Sequence, residues 1–211
     1  MAKNKLYRYA ELPTLNNVVN HPHIYKGRWG KSFFKNDKPI LAELGCGRGE
    51  YTLALAETDP DKNYIAIDIK GARLWVAAKK AIDSGFDNTA FVRIYIEKIS
   101  EIFDTHELAE IWLPFPDPFP KKPGRRLLSP RFLEVYRELL KPGSKVHFKT
   151  DDTDYYEYGM EVLENEGYNI ERHNADIYQE EEPDPRVYVQ TTFERKHLAL
   201  GKTIKYICIS F

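Results

Sequence analysis

The stretch from Pro39 to Gly49, PILAELGCGRG, decides the fold. Pro39–Leu44 is a short, mostly apolar run bounded by a proline, the pattern of a strand buried on both faces. Glycines at 45, 47 and 49 then let the backbone turn sharply and approach a ligand closely, ahead of a helix expected over about 48–57. Outward from this unit the same alternation repeats. Tyr64–Ile67 reads as a second strand, and Gly71–Ser84 as a helix with Leu74, Val76, Ala77, Ala78, Ala81 and Ile82 apolar. Thr89–Ile96 and Ile111–Phe115 read as the third and fourth strands. Near 129–140 a helix opens with Ser129-Pro130, an N-cap followed by proline at the first helical position, and stops at Lys141-Pro142-Gly143. Val146–Phe148 gives a fifth strand, a helix runs on to Gly167, and Val187–Phe193 and Thr203–Phe211 are β-rich. Strands alternating with helices predict an α/β, Rossmann-like fold: a doubly wound, mostly parallel sheet with helices on both faces. Residues 39–211 are expected to form this domain, with 1–38 a basic N-terminal extension.

Composition bounds the function. With 211 residues, 42% hydrophobic and 13% aromatic, the chain can build one full core, which excludes wholesale disorder. No apolar run approaches the roughly 18 residues of a membrane span. The opening MAKNKLYRYAELP lacks the apolar stretch of a signal peptide, so a cytoplasmic protein is expected. Cys46 and Cys208 make neither a disulfide framework nor a zinc spacing, and His21-Pro22-His23 lacks companion ligands, so no metal is expected. The net charge of −1 conceals a marked asymmetry. Residues 1–40 carry eight basic and two acidic side chains, residues 121–149 nine and two, and residues 150–194 two and fourteen. Because screening limits each charge to a range of about 10 Å, local basic patches attract an anionic partner whatever the total charge.

In doubly wound sheets ligands sit beyond the carboxyl ends of the strands, so chemistry is sought in the loops after the first four. The first loop reads G-x-G-x-G with Glu43 ahead of it and Glu50 where a dinucleotide fingerprint has its third glycine. Two carboxylates beside a pyrophosphate repel it, which disfavours NAD or FAD. S-adenosylmethionine carries no phosphate, and its amino group and sulfonium are cations that carboxylates favour. Glu43, Gly45 and Gly47 are therefore candidate contacts to that cofactor. Asp68, at the end of strand two, is placed to accept both ribose hydroxyls. Glu97, after strand three, is the candidate polar contact to adenine.

The loop after strand four is Pro114-Phe115-Pro116-Asp117-Pro118-Phe119-Pro120-Lys121-Lys122. Four prolines in seven residues stiffen it and fix Asp117 between two aromatic rings. Lys121, Lys122, Arg125 and Arg126 follow as a phosphate-seeking cluster. Here the sequence resembles the bacterial tRNA guanine-N7 methyltransferases, whose signature reads F-P-D-P-W-P-K-K and then a basic run ending R-R-L; this chain has FPDPFPKKPGRRL. Further matches are Glu43–Gly49, His147-Phe148-Lys149-Thr150-Asp151, Thr191-Thr192-Phe193-Glu194 and Leu200-Gly201. The resemblance runs from about residue 40 to the end and implies an S-adenosylmethionine-dependent methyltransferase fold acting on the variable-loop guanine of tRNA. Carried over by motif, Glu43, Asp68 and Asp117 contact the cofactor, with Asp117 at the catalytic position. Lys121, Asp151 and Thr191, Thr192, Phe193 and Glu194 contact the target nucleotide, and residues 123–128 touch RNA. Three departures stand out: Phe119 replaces a tryptophan, the basic loop is shorter with Pro123-Gly124 in it, and Tyr95-Ile96-Glu97 stands where the family has Asp-Ala.

Guanine N7 carries an exposed lone pair, so its methylation needs alignment more than a base. A fixed carboxylate such as Asp117 or Asp151 then stabilises the charge that appears on the purine. Phe115, Phe119 or Phe193 could stack on a displaced base. Other readings are a methyltransferase acting on another RNA or a small molecule, a non-catalytic tRNA-binding protein, and an NAD-dependent dehydrogenase. Both a monomer and a homodimer are compatible with the sequence.

Overall fold

The computed structural model describes residues 2–211. In chain order its regular elements are α1 (Ala2–Glu11), β1 (Val18–Val19), β2 (Ile40–Leu44), α2 (Glu50–Thr58), β3 (Asn63–Ile67), α3 (Gly71–Asp83), β4 (Thr89–Val92), β5 (Leu108–Pro114), α4 (Pro130–Leu139), β6 (Leu140–Thr150), α5 (Thr153–Asn165), β7 (Asn169–Asn174), α6 (Thr192–Ala199) and β8 (Lys205–Ser210). They form one eight-stranded sheet in the order β1-β4-β3-β2-β5-β6-β8-β7. The pairs from β1 to β6 are parallel, and β8 runs antiparallel to both β6 and β7. The doubly wound, mostly parallel sheet expected from the sequence is therefore present.

Alternation along each strand sorts side chains between the two faces of the sheet. Ile40, Ala42 and Leu44 of β2 share one face with Ile65, Ile67, Ile111, Leu113, Val146 and Phe148, under α4 and α5. Leu41, Trp112 and Tyr206 point to the other face, where Tyr51 and Leu55 of α2 cover them. Glu43 shares that second face, which is why a carboxyl group ends up buried inside an otherwise apolar strand. The chain leaves β2 toward β3 on one side and reaches β5 on the other. The switch point thus falls between the ends of β2 and β5, where α/β sheets open a crevice for ligands.

Several elements differ from expectation. Residues 1–38, read as a basic extension, supply the sheet with β1, paired to β4. They also supply Trp29, fully buried with its indole N–H donating to the Ile102 carbonyl at 2.8 Å. The third strand ends at Val92, and Ile96–Glu101 turns as a 3-10 helix. Val187–Phe193 is not a strand. Asp184 and Pro185 start a 3-10 turn over Pro185–Tyr188, and Lys149 Nζ takes the carbonyls of Val187 at 2.6 Å and Val189 at 3.2 Å. Thr191 then caps α6 by accepting from the Glu194 N–H. Proline does open α4, but the Ser129 hydroxyl donates to the Gly124 carbonyl at 3.2 Å instead of capping the helix. Among the described residues, no helix is long and apolar enough to cross a membrane, and no group of three or more His, Cys, Asp or Glu is placed to hold a metal ion.

Candidate active site

Two adjoining cavities open at the switch point. One, of about 230 Å³, is lined by Gly45, Asp68, Tyr95, Ile96, Glu97 and Asp117 among others. Its neighbour, of about 360 Å³, is lined by Glu43, Gly45, Gly47, Thr191, Thr192 and Phe193 among others. Phe115 lines both.

The floor is the glycine loop, and its backbone donors face inward. Gly45 and Cys46 both donate their N–H to the Ile67 carbonyl, at 2.8 and 3.0 Å, and Gly47 donates to Asp68 Oδ2 at 2.8 Å. A phosphate-cradling loop points these N–H groups at the ligand. Here they pin the loop to the end of β3, which removes the cradle a dinucleotide needs. Gly49 has φ +64°, and a Cβ there would sit 2.6 Å from the Ala77 Cβ, so glycine is needed for α2 to pack on α3. Glu50, read as an acid facing the ligand, lines the second cavity and also accepts from the Thr192 N–H and hydroxyl, mooring α6 to α2.

Asp68 is buried, with Oδ1 also accepting from the Lys70 N–H at 2.7 Å. A carboxylate has about four lone-pair sites, so two remain for a ligand. Glu43 is buried with one oxygen accepting from the Thr52 N–H at 2.9 Å and from the Thr52 hydroxyl. Burial pushes its carboxyl up to about 7, against the opposing hydrogen bonds from Thr52. A carboxyl whose folded pKa exceeds its unfolded value of about 4.5 stabilises the fold fully below that value. The contribution is lost as pH rises through about 7, a swing of roughly 3 kcal/mol. A Glu43→Gln variant keeps the acceptor for Thr52 and removes the titration. It is expected to match the wild type near pH 4 and to exceed it by roughly 3 kcal/mol at pH 8. Denaturant melts at both pH values check this; an equal difference at the two would place the titration elsewhere.

The wall is the β5 loop. The Phe115 N–H donates to the Lys149 carbonyl at 2.8 Å, prolonging the β5–β6 pairing. Phe115 and Phe119 then adopt φ of +54° and +40°, the left-handed region that bulky residues avoid at a cost of order 1–3 kcal/mol each. Backbone strain of this kind is held where a loop's shape matters. The result presents Asp117, exposed and without a hydrogen bond among the described residues, to the cavity that contains Gly45 and Asp68.

The loop is braced by a residue expected on the RNA face. Arg126 is only 6% exposed: its Nε donates to the Pro118 carbonyl at 2.7 Å, and its guanidinium lies over Tyr155 and Tyr158. It holds the loop shape and offers no free charge to a phosphate. Lys121, Lys122 and Arg125 are exposed. Arg125 lies over Phe119 at 4.7 Å and pairs with Glu97 across the cavity at 3.8 Å, so Glu97 faces an arginine as well as the cavity. Tyr95, also in this lining, is the more exposed neighbour on the strand-three side.

The opposite wall is α6. Phe193 is 44% exposed, with its ring 5.2 Å from Phe115 and stacked on His197 at 3.9 Å. His197 Nδ1 lies 2.7 Å from Asp151 Oδ2, which also accepts from Lys202. Burial raises the Asp151 carboxyl, but Lys202 and His197 outweigh it and hold it below the usual carboxylate range. Glu194 departs from its expected role at the target nucleotide. It is fully buried and paired with Lys149 at 3.0 Å, so it positions α6 from behind.

Comparison with known proteins shows the family. Residues 37–207 match a family described as putative methyltransferase. A tRNA (guanine-N(7)-)-methyltransferase of Christiangramia forsetii is 44% identical over 98% of this chain and 97% of that protein. One from Bacteroides fragilis is 42% identical over 98% and 85%. The chain belongs to the tRNA (guanine-N7-)-methyltransferase family. A solved structure described as an antibiotic-related methyltransferase superposes with a TM-score of 0.65 at 21% identity, covering 93% of this chain and 97% of the other, which supports the fold. Within this family's frame, the side chains that motif reading missed are those tied to the cavities by tertiary contact: Thr52, His197 and Lys202, together with Arg48 and Arg73 on the rim.

Proposed function

We infer that this chain transfers a methyl group from S-adenosylmethionine to N7 of a guanine in tRNA. The observation that carries the reading is the rigid β5 loop, which presents Asp117 at the same cavity as Gly45 and Asp68. The residues fit the cofactor. A Cβ at Gly47 would meet nothing within 4 Å, and one at Gly45 only Ile96, so the backbone is open to close approach. Asp68 keeps lone pairs for the ribose hydroxyls. Glu43 is a buried carboxyl that a cationic ammonium would neutralise, and Tyr95 and Ile96 give the adenine an aromatic and apolar side. When bound, the cofactor supplies an electrophilic methyl on a sulfonium. The chain's own part is to align and to stabilise. Phe193 and Phe115 offer ring faces to a base, Asp151 keeps an oxygen free of internal partners, and Asp117 places an ionised group beside the purine as it becomes cationic. Thr191 and Thr192 open α6 beside this space, and Lys121, Lys122 and Arg125 meet the tRNA backbone. The reading places the protein with its tRNA substrate in the cytoplasm.

The test is incubation of unmodified tRNA with the protein and S-adenosylmethionine, followed by mass spectrometry of the nucleosides. 7-Methylguanosine is the expected product, and its absence, or a methyl on another nucleoside, overturns the assignment. Asp68→Ala tests the cofactor side. Losing charge-assisted hydrogen bonds to the ribose, and the brace on Gly47, should weaken calorimetric affinity for S-adenosylmethionine by about 2–4 kcal/mol. Unchanged affinity would remove Asp68 from the site.

A further inference from the structure

Two arginines on the rim of the site have no assigned work. Arg48 lies within the glycine loop and Arg73 in the first turn of α3; both are exposed, and both line the cavity that holds Gly47 and Phe193. Neither is paired with a carboxylate or a carbonyl among the described residues. Several other cations nearby are engaged: Arg125 with Glu97, Arg126 with the Pro118 carbonyl, Arg195 with the Gln190 carbonyl at 2.8 Å, and Lys202 with Asp151. The acids that line this cavity with them, Glu50 and Glu43, accept from Thr192 and Thr52 instead.

Two guanidinium groups brought to one cavity from separate elements add positive potential to its rim, which favours an anion there. Guanidinium presents a planar fork that matches the oxygens of a phosphate. Both groups stand at the solvent side, whereas the acids of the floor, Glu43 and Asp68, are buried. A phosphate that arrives with the substrate from the solvent side meets this rim first. The exposed ring of Phe193 in the same lining offers a stacking face for the base of the nucleotide that carries it.

We propose that Arg48 and Arg73 form a clamp for one phosphodiester of the RNA backbone beside the nucleotide that enters the cavity. The clamp rests on the proposed methylation of tRNA and adds to it the contact that draws the target nucleotide in. Binding of unmodified tRNA by wild type and by the Arg48→Gln/Arg73→Gln variant, measured over a range of salt concentrations, tests it. The variant is expected to bind about tenfold more weakly, with a log–log salt slope shallower by about one, the value of a single phosphate. Its calorimetric affinity for S-adenosylmethionine should equal that of the wild type, which also reports an intact fold. A tRNA with neutral methylphosphonate linkages flanking the target guanine should weaken binding by the wild type and cost the variant nothing further. A variant with wild-type affinity and slope overturns the clamp. So does lost cofactor affinity with tRNA binding retained, which would assign the arginines to the cofactor's carboxylate. Equal loss from methylphosphonate in both proteins overturns it too. A wild type that methylates tRNA beside an unaffected variant leaves the function standing without the clamp; a wild type that binds no tRNA removes both.

Discussion

An Asp117→Asn variant is expected to bind tRNA almost normally and to turn it over about 100-fold more slowly, a loss near 2.7 kcal/mol in transition-state stabilisation. Asparagine keeps the shape and one acceptor oxygen, so the change isolates charge. That charge is free in the resting protein, because Asp117 has no internal hydrogen bond among the described residues while Asp68, Glu43 and Asp151 all have theirs. The loop cannot easily move to compensate. It is fixed by prolines at 114, 116, 118 and 120, by two phenylalanines in left-handed conformations and by Arg126 on the Pro118 carbonyl. tRNA affinity should change little, since phosphate contacts supply most of it. Single-turnover rates with saturating cofactor are the measurement. Full activity in the variant would leave Asp117 as a residue that only shapes the turn. Since N7 attack removes no proton, the wild-type rate should also show no requirement for a general base near neutral pH.

The elements legible in the sequence were those with a strong local period. β2 and its glycine loop, α3 and the proline-rich turn all follow from residues within a dozen positions of one another. β1 escaped because a strand of two residues, Val18 and Val19, has no period, and its place beside β4 is set by tertiary packing. β7 escaped because it is a mostly exposed edge strand of polar residues, Asn169–Asn174, with no apolar alternation to find. Val187-Tyr188-Val189 misled through β-branched composition, yet a correct signal stood beside it: Thr191-x-x-Glu194 is a capping-box pattern that opens a helix. Even that pattern is only half realised, because the Glu194 side chain turns away to Lys149. In the site, motif spacing found the residues that converge on the cavities but could not tell an exposed cation from a buried one. Arg125 and Arg126 are neighbours in the chain, yet one faces solvent and the other lies between two tyrosines.

The Lys149–Glu194 pair sets the second large effect. Both side chains are fully buried; the ammonium meets Glu194, two carbonyls and the faces of Tyr51 and Phe115, and the carboxylate also accepts from the Tyr178 hydroxyl at 2.9 Å. Burial pulls the Lys149 pKa down and Glu194 opposes it. Removing one partner leaves the other buried and uncompensated, which costs about 3–5 kcal/mol, whereas replacing both with apolar groups restores much of the loss. Glu194→Gln is therefore expected to lower unfolding stability by about 3–5 kcal/mol at pH 7, and Lys149→Met/Glu194→Leu by distinctly less. The pH dependence has a definite sign. With Glu194 gone the Lys149 pKa falls further, and a lysine depressed in the fold contributes its full stability only above its unfolded value of about 10.5. The deficit of Glu194→Gln should accordingly shrink as pH rises toward 10. Urea melts across that range check it, and a cost below about 1 kcal/mol at pH 7 would show that water reaches the pair. The consequence for function comes through α6. Its N-cap Thr191 and its first residues Thr192 and Phe193 line the cavity, and Glu194 of the ion pair follows them directly. Variants still folded at low temperature should thus lose tRNA turnover before they lose cofactor affinity, because the β2 and β3 ends that carry Glu43 and Asp68 do not depend on α6 for their pairing.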